Sequence, residues 1–118
     1  TLLELTVVIL VLLALIAVLF IGGRAWKRGS DRASCIMNIR NVQQAVRSHQ
    51  NLNGVPDNAP IDIVTDLVGG DNFLRTEPVC PAGGTYSMVS AIPELGTLAI
   101  ECSLATSEDH VPSFYAGW

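Results

Sequence analysis

From Leu5 to Gly23 the chain carries no charged residue, and one carboxylate, Glu4, stands directly before that run. As a helix, a run of that length reaches roughly 28 Å, close to the roughly 30 Å hydrocarbon thickness of a bilayer. Such a segment can cross a membrane. A carboxylate near its end is costly in an apolar setting, so Glu4 asks for a partner. Two suggest themselves: the amide groups at the start of its own helix, and the positively charged amino end of a neighbouring copy. The alternative is that Glu4 sits among lipid headgroups and is solvated.

Length bounds the rest. With 118 residues and one membrane-length segment, the chain has room for one small domain. The apolar content of 49% is inflated by the first 21 residues, and beyond them the composition is ordinary.

Charge is divided along the chain. Up to Asn53, Arg24, Lys27, Arg28, Arg32, Arg40 and Arg47 face only Glu4 and Asp31, a net charge of about +4. From Gly54 onward Arg75 stands alone against nine acids, a net charge of about −8. A basic stem therefore carries an acidic head. This favours stem-to-head contacts between copies and disfavours nucleic acid as a partner of the head, because phosphate would be repelled.

The helical pattern resumes after Gly22 and Gly23, positions that mark a place to bend or locally unwind, as does Gly29. Cys35, Ile36, Ile39, Val42, Ala45, Val46 and Leu52 recur at spacings of three and four, while Asn38, Arg40, Asn41, Gln43, Gln44, Arg47 and Ser48 fill the other side. This is an amphipathic helix that needs one stripe covered. Asn53-Gly54 followed by Pro56 predicts its end, so one helix of roughly 80 Å can run from Thr1 to about Asn53.

The head begins with a predicted short helix from Pro60 to Val68, with Ile61, Val64, Leu67 and Val68 on one face and Gly69-Gly70 as the stop. Phe73 and Leu74 are expected to pack beneath the loop that follows. Thr85 to Ser90 and Thr97 to Ser103 read as strands joined by a turn at Pro93-Glu94-Leu95-Gly96. Leu98, Ile100 and Cys102 alternate with Thr97, Ala99 and Glu101, which predicts one covered face. A lone hairpin is marginal, so it is expected to lie on the helix stripe. Val111 to Trp118 reads as a third strand or a docked tail. The fold class is α+β: a long N-terminal helix and a small C-terminal head whose antiparallel hairpin or small sheet packs on it. The divisions are an apolar membrane or filament-core helix (1–23), its amphipathic continuation (24–53) and the head (54–118).

Three cysteines, Cys35, Cys80 and Cys102, are an odd number. If the head lies outside the cytoplasm, Cys80 and Cys102 are expected to pair, because they flank the predicted hairpin and close a short loop, for a gain of about 3 kcal/mol. Cys35, on the apolar stripe, reads as a buried small residue. A bridge from Cys35 to either of the others remains open.

Catalytic signals are missing. There is no phosphate loop and no metal-ligand cluster of convincing spacing, so no cofactor and no metal are expected. Glu108, Asp109 and His110 read as a solvated loop, and His49 has no nucleophile identifiably beside it. An enzyme is not expected. Trp26, just past the apolar run, suits an interfacial anchor.

The opening Thr1-Leu2-Leu3-Glu4-Leu5-Thr6-Val7-Val8-Ile9-Leu10 resembles the N-terminus of mature type IV pilins and of the related type II secretion pseudopilins. The likeness covers about the first 25 residues closely and is consistent in architecture as far as Asn53. It implies a structural subunit that polymerises into an extracellular helical filament after waiting in the inner membrane. A prepilin peptidase and the pilus assembly machinery would be its partners beside copies of itself. It further implies that Thr1, Leu2, Leu3, Glu4 and Leu5 form assembly contacts, with Glu4 meeting the amino end of an adjacent subunit. In that family an N-methylated Phe usually precedes the residue matching Thr1. Many pilins also carry a helix-breaking Pro just after the membrane segment; here Gly22-Gly23 is the nearest substitute. Cys80-Pro81-Ala82-Gly83-Gly84-Thr85-Tyr86 with Cys102 resembles the cysteine-bracketed head of some small pilin-like proteins. No pseudopilin-type calcium loop is present, which favours a pilus subunit over a major pseudopilin. A single-span, membrane-anchored binding module is the alternative of a different class. Arg24, Lys27, Arg28 and Arg32 would by the positive-inside rule stay in the cytoplasm, and a removed basic leader would have to outweigh them.

Overall fold

The computed structural model describes residues 1–118. Its elements are α1 (Leu2–Asn53), α2 (Ile63–Leu67), β1 (Tyr86–Met88) and β2 (Ile100–Cys102). A long apolar N-terminal helix is thus followed by a small head with a two-stranded antiparallel sheet, a pilin-like order of elements. Two compact units divide the chain, Thr1–Ser30 and Asp31–Trp118.

The first unit is helical from Leu2 onward. Its first turn is closed by the Leu5 amide on the Thr1 carbonyl, and the Thr6 hydroxyl donates to the Leu2 carbonyl. The helix passes through Gly22, Gly23 and Gly29 without interruption. Every apolar side chain from Leu2 to Ile21 is exposed, and the segment is long and apolar enough to cross a membrane.

The second unit is built on the C-terminal half of α1. Cys35, Ile39, Val42, Ala45 and Val46 are buried, the row that three- and four-residue spacing predicts. Leu52, expected on the same row, is instead 75% exposed, because the head covers the helix only as far as its last turn. Gln43, expected on the polar side, is buried in the stripe. The helix stops where Gly54 adopts φ +62° and the Val55 amide reaches back to the Gln50 carbonyl at 3.1 Å, the six-to-one closure of a Schellman motif.

Helix α2 is shorter than predicted. Asp62, unnoticed in the sequence, caps it by accepting from the Val64 and Thr65 amides at 3.1 and 3.3 Å. Pro60 precedes the helix and bridges Ala91. The buried residues here are Ile61, Ile63 and Leu67, and Val64 is left exposed. Leu74 is half-buried, whereas Phe73 stays largely exposed, its ring edge-on to His49 with centroids 6.4 Å apart.

β1 and β2 pair antiparallel, with Tyr86 opposite Cys102 and Met88 opposite Ile100. Bonds from the Val89 amide to the Ala99 carbonyl and from the Ser103 amide to the Thr85 carbonyl lengthen the ladder at both ends. Leu98, Ile100 and Cys102 are buried as their alternation requires, and Ala99 is buried as well. The tail from Val111 forms no strand. It docks: the Trp118 carbonyl accepts from the Gly96 amide and from Arg47 Nη2, both at 3.1 Å. Arg47 also donates to the Pro93 carbonyl (2.7 Å) and the Glu94 carbonyl (3.1 Å), gathering the turn and the tail onto α1.

Candidate functional site

Two features carry chemistry. The first is the N-terminal end of α1, where Glu4 lies in the first turn among Leu2, Leu3 and Leu5, all exposed. Its carboxylate is near the amide end of the helix dipole. None of the chain's ion pairs involves Glu4. Thr1 precedes the helix and supplies its first acceptor.

The second lies inside the head. Cys35 comes from α1, Cys80 from the loop before β1, Cys102 from the end of β2 and His110 from the loop beyond it. All four are at least 97% buried, and their ligand atoms lie within 4.8 Å of one another. Cys80 Sγ is 3.8 Å from Cys102 Sγ and 3.6 Å from His110 Nδ1, and Cys102 Sγ is 3.9 Å from the same nitrogen. The expected Cys80–Cys102 disulfide is therefore not formed: all three cysteines are free thiols, packed as a group around the imidazole. His110, read as part of a solvated loop, is 2% exposed. The neighbouring Asp109 turns the chain inward at φ +57° and is held by Arg32, whose Nε donates to its carbonyl (2.7 Å) and Nη2 to its carboxylate (3.0 Å).

The glycines after Cys80 make this packing possible. Gly83, at φ +85°, closes a turn with its amide on the Cys80 carbonyl at 3.1 Å. A Cβ on Gly84 would stand 2.8 Å from Cys102 Sγ and 3.1 Å from Leu104 Cγ, so only hydrogen fits there. Burial opposes ionisation of Cys80, but hydrogen bonds from the Ala82 and Gly84 amides and from the neighbouring thiols outweigh it and leave this thiol below its ordinary value.

Cys35 behaves oppositely. Burial pushes its thiol up to about 12, the Tyr86 hydroxyl works against that rise, and the other two sulfurs add to it. That hydroxyl donates to Cys35 Sγ at 3.3 Å and accepts from Asn38 Nδ2 at 3.2 Å, while Asn38 also donates to the Val79 carbonyl at 2.9 Å. Burial and the Cys35 contact raise the Tyr86 phenol too. On the far side of the imidazole, His110 Nε2 lies 3.7 Å from the Glu108 carboxylate.

Three soft sulfurs and one imidazole nitrogen, converging beside the Tyr86 hydroxyl, form a set able to hold a metal ion. The sequence hides it because the four residues are scattered, with Cys102 and His110 the nearest pair at eight positions apart. The available signals were the unpaired third cysteine and the Cys-Pro-Ala-Gly-Gly turn. No family model, no curated protein and no solved structure matches this chain.

Proposed function

We propose that this chain is a structural subunit of a type IV pilus-like filament, polymerising through its apolar N-terminal helix. One observation carries the reading: apart from Glu4 and Thr6, the side chains from Leu2 to Ile21 are apolar on every face of α1, and all of them are exposed. A helix that is apolar all round belongs in a nonpolar surrounding, either lipid or the flanks of other such helices. Exchanging one for the other keeps the surface dry, so the same segment suits a membrane-held precursor and the core of a fibre. Glu4 supports the reading, since it forms no ion pair within its own chain. In this role Thr1, Leu2, Leu3 and Leu5 make the contacts around it. The head is structural rather than catalytic and faces outward from an extracellular filament, and the inner membrane holds the subunit before assembly.

Electron microscopy of fibres formed by the full chain tests this. Parallel apolar helices at the axis with heads outside are expected, and heads at the axis would overturn the reading. Glu4→Ala should lower fibre yield while membrane insertion persists. A chain that stays monomeric in lipid under assembly conditions would point instead to a membrane-anchored binding module.

A further inference from the structure

We propose that Cys35, Cys80, Cys102 and His110 bind Zn2+, making a closed structural metal centre inside the head. The inference does not depend on the filament reading. Zn–S bonds of about 2.3 Å and a Zn–N bond of about 2.0 Å in a tetrahedron place sulfurs about 3.8 Å apart and sulfur and nitrogen about 3.5 Å apart. The corresponding separations here are 3.8 Å for Cys80 to Cys102, 3.6 Å for Cys80 to His110 and 3.9 Å for Cys102 to His110. Cys35 supplies the fourth vertex, within the 4.8 Å that bounds the group.

The surroundings suit thiolates bound to a cation. The Tyr86 hydroxyl donates to Cys35 sulfur at 3.3 Å. His110 presents Nδ1 to the sulfurs, and its Nε2 lies 3.7 Å from Glu108, a carboxylate placed to orient a metal-bound imidazole once the two close to hydrogen-bond distance. On binding, each of the three thiols releases a proton to solvent as its sulfur bonds the ion, and His110 binds as the neutral ring. No electron is transferred. The centre then carries one negative charge.

A disulfide satisfies this group less well. Joining any two sulfurs leaves a third thiol and an imidazole buried beside the bridge, whereas one ion engages all four. Soft thiolates exclude Ca2+ and Mg2+, and a mixed sulfur and nitrogen tetrahedron selects Zn2+. Four protein ligands with no open position make the site structural rather than catalytic. It staples α1, the loop before β1, β2 and the loop after β2 in one step.

The test uses the full chain purified in detergent micelles from zinc-replete cells. Elemental analysis should find about one Zn2+ per chain, and chelation should lower the unfolding midpoint, with zinc restoring it. Cys35→Ser, Cys102→Ser and His110→Ala should each remove most of the bound metal. Glu108→Gln should keep the stoichiometry with an affinity about 10- to 100-fold weaker. Where a variant fails to fold, Co2+ loaded into the unaltered chain decides: thiolate-to-cobalt charge transfer with tetrahedral d–d bands supports the site, and their absence refutes it. A folded chain without zinc, a Cys80–Cys102 disulfide found by mass spectrometry, or full zinc occupancy in Cys35→Ser would each overturn the proposal.

Discussion

The side chain of Gln43 takes the place of a neighbouring strand for Ala99. Its Oε1 accepts from the Ala99 amide at 2.8 Å and its Nε2 donates to the Thr97 carbonyl at 3.0 Å, so a helix residue pairs with the backbone of the stretch leading into β2. Gln43 and Ala99 are both buried, whereas Thr97 is exposed.

Gln43→Leu should therefore destabilise the head although it adds apolar surface to an apolar stripe. It strands the buried Ala99 amide, at about 1–3 kcal/mol, while the carbonyl of the exposed Thr97 can turn to water. Gln43→Glu keeps the acceptor but turns a carboxylate toward the Thr97 carbonyl, so it should be less stable at neutral pH than in mild acid. Thermal unfolding of the full chain in micelles at two pH values measures both. Equal stability of Gln43→Leu and the unaltered chain would contradict the assignment.

The same residue shows where sequence reasoning stops. The end of α1, its stripe, the hairpin and the covered face of β2 follow from local signals: Gly54 with Pro56, three- and four-residue spacing, two-residue alternation. Gln43 escapes them because its burial is decided by backbone groups just before β2, 54 to 56 positions away. His110 escapes for a related reason. Between two acids and a Val it looks solvated, and only the turn at Asp109, pinned by Arg32, carries it inward.

Gly84→Ala should disturb the sulfur cluster directly. The added methyl would collide with Cys102 Sγ, which is locked in β2 and cannot retreat, so a loss of about 1–3 kcal/mol is expected from overpacking. Gly83→Ala meets open space but must hold φ +85°, and should cost about 1–2 kcal/mol. The distinguishing measurement is thiol accessibility in the folded chain: Gly84→Ala should speed labelling of Cys102, and Gly83→Ala should leave it slow.

Arg47→Lys should fail to substitute for arginine. The guanidinium spans the Pro93, Glu94 and Trp118 carbonyls with two nitrogens and also meets Gln50, whereas a single ammonium cannot cover that spread. A loss of about 1–3 kcal/mol is expected from the carbonyls left bare. Hydrogen exchange should show faster exchange at the Gly96 amide, which shares the Trp118 carbonyl with Arg47. Unchanged protection there would argue against the clamp.

Asp62→Ala should unravel α2, a helix of only five residues that depends on its cap. Besides accepting from Val64 and Thr65, Asp62 donates its own amide to Asp66 Oδ2 at 3.0 Å, so cap and helix hold each other. A cost of about 1 kcal/mol is expected, with Asp62→Asn nearly neutral. By contrast Asp109→Asn should cost well under about 1 kcal/mol, because its ion pair with Arg32 is largely exposed and the bond to the Asp109 carbonyl survives. Denaturation midpoints for the three variants give the ranking.

The four residues of the cysteine and histidine cluster arrive from four separate stretches of chain, so their meeting is late by construction. Full burial of all three sulfurs needs every one of those stretches in place. Thiol protection is thus a maturity marker: it distinguishes a finished head from any partly threaded one.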